Sequence, residues 1–146
     1  RGNICFVQLL FFKHALEHMI SDKAYYSPTS DKIHLPLLEQ FKNIYEYYST
    51  AFHEATHSTM TKDRCDRKQE IKLLEFGGED YSKEELVAEM GSAFIMNSLG
   101  LETAGTFKNS TAYIQSWIKV LRNDVKFVVS ASSKAEKAVR YILNEK

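Results

Sequence analysis

Between residues 37 and 59, Phe41, Ile44, Tyr45, Tyr48, Phe52, Ala55 and Thr59 fall on one stripe at helical spacing. The pattern predicts an amphipathic helix from about Leu37 to Thr59, with Pro36 well suited to its opening. Upstream, Phe6, Leu9, Leu10, Leu16 and Ile20 mix apolar spacings of three and four around Lys13. That predicts a first helix over residues 4–20. Two short runs rich in β-formers lie between these segments, Tyr25-Tyr26-Ser27 and Lys32-Ile33-His34-Leu35. They flank Pro28-Thr29-Ser30-Asp31, a turn composition, and predict a β-hairpin.

Residues 61–80 are polar and end near Gly77-Gly78. They read as an irregular connection with a short helix around Lys68–Leu74. Ser82 and Glu85 have the spacing of a capping box and predict the next helix start. Leu86, Met90, Ala93, Phe94 and Asn97 mark one face, and Gly100 is the stop. Asn109 or Ser110 then caps a helix through about Asn123, carrying Tyr113, Ile114, Trp117, Ile118 and Leu121. A last helix spans about Asp124 to Asn144, with Phe127, Val128, Ala131, Ala135, Ala138, Val139 and Ile142 turned inward. The expected class is α+β: mostly helical, with a small N-terminal hairpin or sheet beside the 37–59 helix.

Composition narrows this picture. The 146 residues suit one domain over 1–146. The chain begins Arg1-Gly2 without Met, which suggests a piece of a longer protein. Lys+Arg and Asp+Glu are both 19, so electrostatics gives no case for nucleic-acid or membrane binding. Cys5 and Cys65 are too few for a disulfide framework, so reduced thiols and a cytoplasmic location are expected, with Cys65 at the surface. The apolar run Ile4 to Phe12 is short of the roughly 20 residues that a membrane span needs. No small-residue cleavage site follows it, and docking on the core is the expectation.

The chemistry concentrates in His53-Glu54-Ala55-Thr56-His57, an H-E-x-x-H pattern. Helix residues four apart share a face, so both imidazoles can point at one ion, and zinc suits histidine nitrogen. Glu54, on the same turn, can hold a water beside the ion and take its proton. At about 100° per residue the two histidines lie roughly 120–160° from the apolar stripe, so the helix can serve core and metal with different sides. A catalytic zinc usually has three protein ligands. No histidine follows His57, and His14, His18 and His34 suit surface or core roles. Glu84, Glu85 and Glu89 remain, at the start of a helix. Glu85 and Glu89 share a face, so one could bind the metal while the other accepts the spare N–H of a histidine. The competing roles are the capping box for Glu85 and a solvated face for Glu84 and Glu89.

The segment Ala24 to Pro36 resembles the lead into the active-site helix of ArdC-type antirestriction proteins, whose C-terminal half is a zincin-like metallopeptidase domain also found in polyvalent proteins of phages and conjugative elements. The similarity continues through Tyr47 to His57, resumes over Glu84 to Phe94, and runs on through Ala112 to Leu121 and the alanine-rich last helix. It covers roughly residues 20–145. It implies a gluzincin-like site, with His53, His57 and Glu85 as zinc ligands and Glu54 as general base. Glu85-x-x-Ala88 also resembles the third-ligand segment of ImmA/IrrE-type peptidases. Relatives often continue the second histidine with Trp-Thr-Gly, whereas this chain has Ser58-Thr59-Met60, a departure that bears on the helix exit. The single-stranded-DNA-binding domain of ArdC-type proteins has no counterpart here, so DNA binding does not carry over.

The reading is a zinc-dependent peptidase acting on a protein or peptide. The alternative is a non-proteolytic antirestriction or binding module with a structural metal. Tyr113 packs beside Trp117, helps close the pocket, or donates to an oxyanion. One of Tyr25 and Tyr26 is expected in the core, and the hairpin edge could accept an extended peptide.

Overall fold

The computed structural model describes residues 15–67 and 78–145. The 4–14 part of the first predicted helix, His14, Cys5 and the short helix at 68–74 lie outside the described residues. Three strands come first: β1 (Ala15–Met19), β2 (Tyr25–Ser27) and β3 (Lys32–Pro36). A 3-10 turn at Leu38–Gln40 leads into α1 (Ile44–Ser58), followed by α2 (Glu79–Ser98), α3 (Ala104–Val120) and α4 (Val125–Leu143).

The sheet has the order β1-β3-β2. The hairpin forms as predicted, with Tyr26 opposite Ile33. Asp31 closes its turn at φ 53, a left-handed conformation that Asp tolerates. The expected helix at 15–20 is instead β1, parallel to β3 with Leu16 opposite Ile33. Ala, Leu, Glu and Met are good helix formers, but here strand pairing and the packing of partly buried Leu16 against the core overrule propensity. One face of the sheet buries Tyr26, Ile33 and Leu35 against the helices.

The helix carrying the histidines starts later than its apolar stripe suggests. Asn43 accepts hydrogen bonds from the backbone N–H groups of Tyr45 and Glu46, and so caps α1. Tyr48, Phe52, Ala55 and Thr59 are buried, but Tyr45, in the first turn, is 40% exposed. α2 starts at Glu79 with Gly78 as N-cap, so Ser82 lies inside the helix and donates to the Gly78 carbonyl. The acidic first turn, Glu79 and Asp80, suits the positive end of the helix dipole. The capping box at Ser82 therefore does not form, and Glu85 has no capping role. α3 also starts earlier, capped by Thr103 in a reciprocal box with Thr106. The last helix matches its prediction, from an Asp124 cap to a left-handed Asn144.

α2 is central. Its Ile95 and Met96 join the sheet, α1 and α4 in one core, while its Leu86, Val87 and Met90 meet Ala131 and Ala135 of α4, beside Trp117 and Ile118 of α3, in another. Phe94, expected on the inner face, is partly exposed. Cys65 is buried rather than at the surface, with its thiol near the Lys137 carbonyl.

α1 and α2 cross closely. A Cβ placed on Gly91 would sit 2.6 Å from both Cγ2 and Oγ1 of Thr56, the residue just before His57. Gly91→Ala is expected to destabilise the domain by about 1–3 kcal/mol through overpacking. Equilibrium urea unfolding checks this, and an unchanged midpoint would mean that the helices can part without cost.

Candidate metal centre

α1 presents His53, Glu54 and His57, and α2 faces them with Glu84, Glu85 and Glu89. The Nε2 atoms of His53 and His57 lie 3.1 Å apart. Glu85 sits across them, with Oε2 3.2 Å from His53 Nε2 and Oε1 3.1 Å from His57 Nε2. Each residue offers one ligand atom within 4.8 Å of the others.

Both outer nitrogens are also partnered. His53 Nδ1 lies 3.3 Å from Glu89 Oε1, and His57 Nδ1 lies 3.2 Å from Glu84 Oε1. A carboxylate at Nδ1 favours the proton there, which turns the lone pair at Nε2 inward. Two such lone pairs at 3.1 Å repel unless a proton or a cation lies between them. Two imidazoles and a carboxylate fit a divalent transition metal such as zinc.

Protons take that place in the metal-free protein. Burial alone would lower His53, but the bonds to Glu85 and Glu89 outweigh it and push its pKa up to about 9. His57 is held well above its ordinary value by Glu84 and Glu85, again against burial. Burial opposes charge on Glu85 too, yet His53 and His57 hold its carboxyl well below the usual range. The raised His53 contributes stability that is fully present below pH 6.5 and is lost as pH rises through about 9, and the raised His57 acts in the same direction. The lowered Glu85 contributes above its ordinary pKa of 4.5 and loses that contribution as pH falls below it. The metal-free protein is therefore expected to melt highest between about pH 5 and 6.5. Thermal melts in chelator from pH 4 to 10 would check this, and a profile flat across the alkaline limb would contradict it.

Glu54 is buried at the floor of a cleft of about 660 Å³. His57, Glu84 and Glu85 share that floor, and Ala24, Tyr25, Tyr26, Pro28 and Met60 form much of its wall. The hairpin edge therefore borders the centre. Asp31 pins it there, accepting from the Tyr26 hydroxyl at 2.8 Å and from Arg64 at 2.9 and 2.6 Å. Tyr113 is 58% exposed and takes no place in the cleft lining. His18 bonds the Tyr47 hydroxyl and His34 stacks on Tyr25, so neither joins the centre.

Tyr81 and Arg67 escaped the sequence reading, and Glu84, weighed there as an acidic candidate or a solvated face, takes a place behind His57 instead. Tyr81, one turn before Glu85, lines the cleft with its ring edge on Trp117. Burial and then the Glu85 carboxylate raise its phenol above the ordinary 10.0. Glu84 is 5% exposed rather than solvated, and Arg67 is 4% exposed beside it. Glu84 had a signal: with Val87, Ala88 and Gly91 it lies on a small, apolar stripe, which places a charge indoors. Arg67, one of several basic residues in a polar connection, had none.

A compact α+β fold with an H-E-x-x-H helix, a facing acidic helix and a strand edge along the cleft defines a zincin-like protein. The chain belongs to the zincin-like metallopeptidase family, whose model matches residues 9–134. It is 39% identical over 129 residues to the DNA primase TraC of Escherichia coli, covering 88% of this chain and 12% of TraC. It is 33% identical over 114 residues to the protein y4eC of Sinorhizobium fredii, covering 78% of this chain and 36% of that one. Among solved structures, the Mn(II)-bound antirestriction protein ArdC from plasmid R388 matches with a TM-score of 0.76 and 33% identity, over 97% of this chain and 52% of ArdC. Metal-free ArdC matches with a TM-score of 0.73 and 34% identity, over 96% of this chain and 49% of ArdC. The chain thus spans about half of ArdC and smaller shares of the other relatives. The resemblance to ArdC-type proteins read from the sequence holds. No helix among the described residues is long and apolar enough to cross a membrane.

Proposed function

We propose that this domain is a zinc-dependent peptidase, with His53, His57 and Glu85 holding the ion and Glu54 acting as general base. The observation that carries this reading is the convergence of two Nε2 atoms and one carboxylate beside Glu54, in a cleft open to substrate. Bound zinc would supply a Lewis acid for the scissile carbonyl and a lowered pKa for water. Glu54 takes the proton of the attacking water and returns it to the leaving amine nitrogen. Glu84 and Glu89 hold the two imidazoles in the orientation that presents Nε2. Tyr25, Tyr26 and Pro28 flank an extended peptide along the hairpin edge. The test is elemental analysis of purified protein, with cleavage of a peptide library before and after chelation. Zinc near one equivalent and chelator-sensitive cleavage support the reading. Protein that takes up no metal ion would sink it.

A second reading comes from the relatives. ArdC is an antirestriction protein that matches this chain in its metal-bound and metal-free structures alike. In this reading the domain acts in antirestriction by binding, and its metal serves structure. An antirestriction effect that persists without cleavage, in folded protein lacking the Glu54 carboxylate, would favour it over proteolysis.

A further inference from the structure

We propose that Arg67 is a positioning residue of the metal centre, orienting His57 through the Glu84 carboxylate. This rests on the reading of His57 as a ligand. Arg67 donates from Nε to Glu84 Oε2 at 3.0 Å and from Nη2 to Glu84 Oε1 at 2.8 Å. The same Oε1 lies 3.2 Å from His57 Nδ1. The guanidinium fork thus fixes the carboxylate plane, and one of its oxygens meets the ring. Arg67 also donates from Nη1 to Thr59 Oγ1 at 2.8 Å and from Nη2 to the Thr56 carbonyl at 2.9 Å. It therefore ties the C-terminal end of α1, one residue either side of His57-Ser58, to the start of α2.

Stability alone is a poor reason for this arrangement. A buried ion pair pays heavily in desolvation, and apolar side chains of similar size often serve the fold as well. The arginine fork adds a fixed direction for Glu84, which the point charge of a lysine does not supply. The two histidines are unequal in this respect. Among the described residues, Glu89 behind His53 pairs with that histidine alone, whereas Glu84 is anchored from behind by a cation.

The test is zinc affinity of the full chain, by competition with a chromophoric chelator, alongside the melting temperature of the metal-free protein. Arg67→Lys and Arg67→Gln are expected to bind zinc roughly 10–100-fold more weakly, the range for losing partners behind a ligand. The double variant Arg67→Met/Glu84→Leu removes both charges, and it should recover most of the melting temperature while its zinc affinity stays low. A residue that served only the fold would move affinity and melting together. Zinc binding at wild-type strength in Arg67→Lys, or in the double variant, would overturn the proposal, and either can be read if Arg67→Gln does not fold. Wild-type protein that takes up no zinc would remove the metal reading itself, a failure distinct from any variant's.

Discussion

Replacing Glu54 with glutamine is expected to lower peptide hydrolysis by roughly 10²–10⁴-fold while zinc content stays at the wild-type level. Glutamine has nearly the same shape, so the buried floor of the cleft keeps its packing. The amide cannot accept the proton of the attacking water, and the chemical step loses its base. The three side chains proposed to hold the ion, His53, His57 and Glu85, are not altered. The measurement is kcat on a fixed peptide with metal content determined on the same sample. Lost activity with retained zinc assigns the base. Lost zinc would mean that the Glu54 charge holds the ion rather than the proton, and undiminished hydrolysis would remove Glu54 from the chemistry.

The largest loss of stability is expected from Glu84→Leu. It leaves the Arg67 guanidinium, 4% exposed, without its carboxylate. Breaking a buried pair from one side typically costs about 3–5 kcal/mol, because the remaining charge cannot return to water. Domains of this kind have about 5–15 kcal/mol in total, so much of the fold's margin would go. Urea unfolding in chelator separates this from any effect of metal. A change below about 1 kcal/mol would mean that water reaches Arg67, contrary to its burial. The double variant with Arg67→Met should recover most of the loss.

The sequence was most legible where local chemistry and tertiary need agree. The hairpin at Tyr25–Ser27 and Lys32–Pro36 had β-formers on both sides of a turn composition. The last helix had a regular inner face over about Asp124 to Asn144, and the structure caps it at those two residues. The misreadings arose where a local signal had a stronger competitor. Residues 15–19 have helical propensity, but β3 offers them parallel partners and a place for Leu16. Ser82 and Glu85 imitate a capping box, yet the helix starts three residues before Ser82, at Glu79, with Gly78 as its N-cap and an acidic first turn. Thr103 and Thr106 form the real box of α3, with a threonine where the usual pattern has Glu or Gln.

The centre divides along the same line. Helix geometry alone places His53 and His57 on one face with Glu54 beside them, because the i to i+4 spacing acts within a single turn. The pairing of Glu84, Glu85 and Glu89 is not a local matter. Those acids all belong to α2, and which nitrogen each meets depends on how α2 is rotated and how close it lies to α1. The contact of Gly91 with Thr56 sets the approach, and Arg67 anchors Glu84 at the crossing. The sequence determined that two histidines and a glutamate share one helix and that a carboxylate from the next helix can join them. Only the tertiary structure decided that Glu85 faces both Nε2 atoms while Glu89 and Glu84 stand behind the rings. That choice rests on contacts between residues far apart in the chain, which no local pattern encodes.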